Sequence, residues 1–187
     1  MVWLVLGVLL WSGLHFLPMA ARPLRAACID RVGEGPYKGL FSLGLIGAIV
    51  LMVTGWGQTA PIPLYSPPDW TRLVASPLML VAFVLFAASA VPTNLKRVLR
   101  HPQLTGFAVW AAAHLLANGD RRAWVLFGGL GAWAIVSILL LNRRDGAWQK
   151  PEPVPLAAEV KPVVGGLVGF GLLFFAHTWL FGVSPAP

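Results

Sequence analysis

Six stretches of this chain, near residues 2 to 20, 39 to 57, 73 to 91, 103 to 118, 122 to 142 and 163 to 182, run on with scarcely a charged side chain. About 17 to 25 mostly apolar residues wound as a helix are needed to cross the roughly 30 Å hydrocarbon core of a bilayer. Within that core every backbone N–H and C=O must be satisfied by the protein itself, which helices do segment by segment. The expected fold is therefore all-α, a polytopic transmembrane bundle of about six spans forming a single domain over residues 1 to 187, with the lipid bilayer as its solvent. Of the 187 residues, 57% are hydrophobic and 11% charged, and the mean hydropathy is +0.73, too apolar for an ordinary soluble surface. The fourth run is the shortest. No Lys or Arg precedes Val2, so the first run reads as a retained helix rather than a secretory leader.

Charge distribution sets the expected topology. Arg22, Arg25, Arg31 and Lys38, then Lys96, Arg97 and Arg100, then Arg143, Arg144, Lys150 and Lys161 fall in the first, third and fifth connections, eleven residues against the three (Arg72, Arg121, Arg122) of the second and fourth. Short loops rich in Lys and Arg stay on the cytoplasmic side. The chain is thus expected in a bacterial inner membrane, multi-pass, with both termini outside the cytoplasm. The net charge of +7 is dispersed over these loops rather than gathered on one soluble face, so nucleic acid is not an expected partner. Cys28 is the only cysteine, which excludes an intrachain disulfide, a thiolate-rich zinc site and a one-chain iron–sulfur cluster.

Two connections stand out. Residues 58 to 72, proline-rich with Tyr65 and Trp70, read as an extended outer loop able to act as a lid, and residues 143 to 162 read as a mobile polar linker. Glycines within the runs (Gly44, Gly47, Gly128, Gly129, Gly131, Gly165, Gly166, Gly169, Gly171) read as sites of close helix packing.

Candidate chemistry rests on histidine. A protonatable side chain at bilayer depth is costly and presumptively functional. His15, His114 and His177 fall within apolar runs, whereas all seven Asp and Glu residues lie in connections or at helix ends. That disfavours a carboxylate proton pump or a paired-carboxylate hydrolase and leaves imidazole as the strong intramembrane ligand. Gly7, Trp11 and His15 recur at a spacing of four, as do Gly106, Trp110 and His114, so two helices each present a gap, a flat aromatic and an imidazole along one face. A planar ligand suits that stripe, and two neutral imidazoles on facing helices can hold haem iron. Ordinary helix–helix hydrogen bonding is the competing reading of the pair, and packing is the preferred reading of His177, beside Phe174, Phe175 and Trp179.

Arg100, His101, Pro102, Gly106, Trp110, Ala113, His114, Asn118, Gly119 and Asp120 resemble the signature of the NnrU family of integral membrane proteins, and the resemblance extends to His15 and to "GEGPYKGLFSL" at 33 to 43, covering essentially the whole chain. It implies a polytopic bacterial protein associated with nitric oxide and nitrite reduction. It also implies a kinship with the plant zeta-carotene isomerases, which hold haem b between two histidines and isomerise a polyene. Carried onto this chain those ligands are His15 and His114. The plant enzymes have a cysteine three residues before the motif histidine; here it is Ala111, so a thiolate ligand switch is not implied.

The motif's ends have roles of their own. Pro102 starts a helix well, Asn118 and Gly119 end one, and Asp120 has Arg121 or Arg122 as partner, or a ligand donor. Arg100 and His101 are placed at the basic surface, where His101 either anchors the helix or contacts a haem propionate. The expected function is a haem b protein, either a redox-type isomerase acting on a lipophilic polyene or an electron-transfer protein with a redox partner. Whether it is an enzyme stays open at this point. Two other readings stand beside it. A membrane methyltransferase using S-adenosylmethionine shares an "RHP" box, though with an aromatic residue where this chain has Leu104. A haem or nitric-oxide sensor, or an assembly factor, needs no catalysis at all.

Overall fold

The structure, a computed structural model, describes residues 1 to 186 and is almost entirely helical. Seven helices follow one another: α1 Val2–Ala20, α2 Arg22–Val32, α3 Glu34–Gln58, α4 Trp70–Ala90, α5 Pro102–Ala117, α6 Arg121–Asp145 and α7 Val160–Phe181. Five of them (α1, α3, α4, α6 and α7) are long and apolar enough to cross a bilayer, and the sixteen-residue α5 completes the six spans read from the sequence. Among the described residues the only β pairing is an isolated bridge between Pro63 and Asp120.

Contacts order the helices as α3, α1, α6, α5, α4, α7, each packed on the next. Close approach depends on glycine. A Cβ at Gly55 of α3 would fall on the backbone of Leu4, one at Gly166 of α7 would stand 2.6 Å from Val84 of α4, and one at Gly129 of α6 would stand 2.6 Å from Val8. Lipid offers no hydrophobic expulsion to hold helices together, so contact of this kind is what associates them. Gly47 and Gly171, by contrast, face open space. The meeting of Leu4 with Gly55 also places the start of α1 beside the end of α3, at the end of the bundle shared by the α5–α6 junction. The opposite end carries eleven of the fourteen Lys and Arg residues.

Three expectations change. Residues 22 to 32 are not loop but helix α2, begun with Pro23 in its first turn and ended at Gly33, whose φ of 85° lets the chain turn directly into α3. The 143 to 162 connection is pinned rather than mobile: the Asn94 side chain exchanges two hydrogen bonds with the Val154 backbone (2.7 and 3.0 Å), and Glu159 accepts from the Thr93 hydroxyl and the Asn94 N–H. The 58 to 72 loop is likewise held down. Leu64 and Tyr65 N–H groups donate to the Gly119 carbonyl, Arg121 N–H donates to Ile62, and the Tyr65 hydroxyl donates to the Leu115 carbonyl at 2.6 Å. Satisfying those polar groups at the membrane surface outweighs the freedom that their composition suggests.

Candidate functional site

The two histidine stripes fold alike. His15 on α1 and His114 on α5 each place Nδ1 2.9 Å from the carbonyl of the tryptophan one turn earlier, Trp11 or Trp110, and each ring leans on that indole with centroids 4.5 and 4.9 Å apart. A carbonyl accepts, so Nδ1 carries a proton, and in the neutral ring that leaves the lone pair on Nε2, the tautomer that ligates metals.

The two rings have different neighbours. His15 packs against Trp133 of α6 at 4.9 Å and Phe41 of α3 at 5.9 Å, whereas His114 stacks on Phe127 at 4.3 Å. Phe127 lies in a wide π turn of α6, Trp124–Gly128. Phe127 and Trp133 are six residues apart on one helix, which sets the two imidazoles about 9 Å apart in level. Between them runs a packed series of rings, Trp110 to Phe107 at 6.0 Å and Phe107 to Trp133 at 5.4 Å. The glycines of the stripes are also filled: a Cβ at Gly7 would meet Met52 and Ala48 of α3 at 2.7 to 2.8 Å, and one at Gly106 would meet Phe86 and Ala82 of α4 at 2.8 to 3.1 Å. They serve helix contact. The two histidines thus lie against different levels of α6, which packs on both α1 and α5.

Around His15 the donor set does suit a bound group. Among the described residues, five buried side-chain polar atoms lack a hydrogen-bond partner; two of them, Trp11 Nε1 and Trp133 Nε1, belong to indoles whose rings lie 4.5 and 4.9 Å from the His15 ring, and two others are Ser137 Oγ and Tyr37 Oη. Ser137 is fully buried one turn beyond Trp133, and Tyr37 stacks on Phe41, the ring that touches His15. In an apolar interior each unpaired polar group costs roughly 1 to 3 kcal/mol, so the two unpaired indole donors beside His15 mark where acceptor atoms belong. Trp133, Ser137 and Tyr37 are absent from the sequence-based site. Their signal was a spacing of four, Trp133 with Ser137 and Tyr37 with Phe41, on helices whose facing could not be read.

The remaining motif residues are bound into the scaffold. Asn118 Nδ2 donates to the His114 carbonyl at 2.8 Å, closing α5. A Cβ at Gly119 would fall on the Tyr65 carbonyl oxygen, so only glycine fits there. Asp120 caps α6 by accepting from the N–H groups of Arg122 and Ala123 at 2.7 and 3.1 Å, and it pairs with the Arg122 guanidinium at 3.3 Å. Burial pushes the Asp120 carboxyl up, but the hydrogen bonds from the Arg122 side chain and from the Ala123 and Arg122 backbone outweigh it and hold the group below the usual aspartate range. Arg122 also donates to the Thr59 carbonyl and lies 4.5 Å over the Trp56 ring. At the opposite, basic end, Arg100 donates to the Gly146 carbonyl at 2.9 Å, and His101 Nε2 lies 3.0 Å from Asn142 Oδ1. His177 has Nδ1 2.7 Å from the Val183 carbonyl near the end of α7.

A family model described as "NnrU protein" matches residues 3 to 185. No curated protein and no solved structure matches the chain.

Proposed function

On the premise that the chain belongs to the NnrU family, we propose that it is an integral membrane haem b protein whose iron ligand is His15, acting in redox chemistry on a lipophilic substrate or on nitric oxide and related small molecules. The observation that carries this reading is a half-buried imidazole, tied to the Trp11 carbonyl through Nδ1 alone, set beside the unpartnered indole N–H groups of Trp11 and Trp133 in an apolar interior.

Haem, when bound, supplies one-electron chemistry and an iron able to take a further ligand. The chain's own contributions follow from the packing. The Trp11 carbonyl holds the proton on Nδ1 and fixes the ring's orientation, which raises Nε2 basicity. The indole N–H groups of Trp11 and Trp133 and the Ser137 hydroxyl are donors for oxygen or nitrogen acceptors brought beside His15. The ring series Trp133, Phe107, Trp110 and Phe127 keeps water out on the α5 side. His114, a level away, is a positioning residue within that aromatic wall.

The test is the visible spectrum of protein purified from haem-replete cells. A Soret band that moves on dithionite is expected. His15→Ala should lose at least tenfold of the haem per chain, while His114→Ala and His177→Ala keep most of it. A colourless, folded preparation would overturn the haem reading; equal loss in folded His15→Ala and His114→Ala would instead establish a shared two-histidine site and overturn the single-ligand assignment.

A further inference from the structure

At the basic end, α1 breaks at Ala21 and α2 turns away along the end of the bundle with none of its residues buried. The turn opens a cleft of about 540 Å³ between α2 and the last turn of α6, lined by Pro18, Arg22, Arg25, Ala26 and Arg144. Three guanidiniums thus border one cleft, and they share a single carboxylate. Asp145 is already engaged by Arg144, with Nη2 to Oδ2 at 2.9 Å, and reaches Arg22 only at 3.9 Å. Arg25 makes no ion pair among the described residues. It lies 5.5 Å over the Tyr37 ring, and Glu34, the nearest acid on α3, is bound to Lys38 at 2.9 Å. The cleft therefore carries two positive charges more than it neutralises.

We infer that this cleft binds the phosphate of an anionic phospholipid. Depth argues for a lipid over a dissolved anion. The nineteen residues of α1 span about 28 Å, close to the hydrocarbon thickness, so Arg22 and Arg25 stand at the level of the headgroup phosphates. Leu24, on the same helix as Arg22 and Arg25, presents an exposed apolar side chain along which an acyl chain can lie. Guanidinium forks match phosphate oxygens two at a time, and basic pockets between spans on the cytoplasmic side take such headgroups.

Native mass spectrometry of the purified full chain tests this, with phosphatidylglycerol, phosphatidylcholine and inorganic phosphate as probes. One phosphatidylglycerol should be retained per chain at collision energies that strip phosphatidylcholine. Arg22→Gln, at an exposed position, and Arg25→Gln, at a half-buried one, both checked for folding by circular dichroism, should weaken that retention at least tenfold. Arg31→Gln, on the same helix but outside the cleft, should leave it unchanged. Equal retention of the two lipids, an equal effect of Arg31→Gln, or displacement of phosphatidylglycerol by low-millimolar inorganic phosphate would overturn the assignment.

Discussion

Ser137 carries the sharpest consequence at the scale of one residue. Its hydroxyl is fully buried and unpartnered, so removing it deletes a desolvation cost without deleting a bond. Ser137→Ala is expected to leave the ligand-free protein unchanged or to stabilise it by about 1 kcal/mol, while weakening haem uptake in a hemin titration. Loss of stability with intact uptake would show that the hydroxyl is structural. Asp120 should behave in the opposite way. It satisfies two N–H groups of the first turn of α6 and pairs with Arg122, so Asp120→Ala should cost about 1 to 2 kcal/mol. Its carboxyl is held below the usual range when folded; the stabilisation is therefore complete above the unfolded value of about 3.9 and disappears as pH falls through the lower folded value. The melting-temperature gap between wild type and Asp120→Ala should accordingly be constant from pH 7 to 5 and narrow only in stronger acid. A gap that narrows already near neutrality would reject the assignment. The importance of Asp120 to the α5–α6 junction was readable from its place before Arg121 and Arg122. The orphaned Ser137 was not, because a lone serine in an apolar run says nothing about which groups it will fail to meet.

Elements divide along the same line. Hydropathy alone located six helices to within a few residues, since each must bury its own backbone polar groups and therefore shows as an uninterrupted run. Helix α2 escaped because its three arginines break any run; only Pro23 and Gly33 announced its ends. The matched stripes of α1 and α5 correctly put Trp11 with His15 and Trp110 with His114. They could not tell that α6 intervenes, because a period of four describes one helix's face and not its neighbour. Glycine sharpens this at α7. Gly166 is pressed on the backbone of Val84, whereas Gly171, five residues on, meets nothing within 4 Å. Gly166→Leu should force α7 from α4 and cost about 1 to 3 kcal/mol, lowering the melting temperature in detergent, and Gly171→Leu should change it little. Equal shifts would mean that α7 does not dock on α4 as described.

For the molecule as a whole, the decisive asymmetry is between its ends. The α5–α6 junction end holds three Lys and Arg residues and the α2 end holds eleven, and such a bias keeps the richer loops in the cytoplasm. An even number of spans then brings the chain back to the side from which it starts. His15 lies five residues before the end of α1, about 8 Å from the basic end, the end that also carries the arginine cleft. Cysteine labelling of intact cells decides the orientation. Cys28 sits on α2 and should resist a membrane-impermeant maleimide until the cells are opened. In a Cys28→Ser background, Ala60→Cys should label at once and Gln149→Cys only after lysis. Labelling of Gln149→Cys in intact cells would invert the topology and put the basic end, with its arginine cleft, on the outer side.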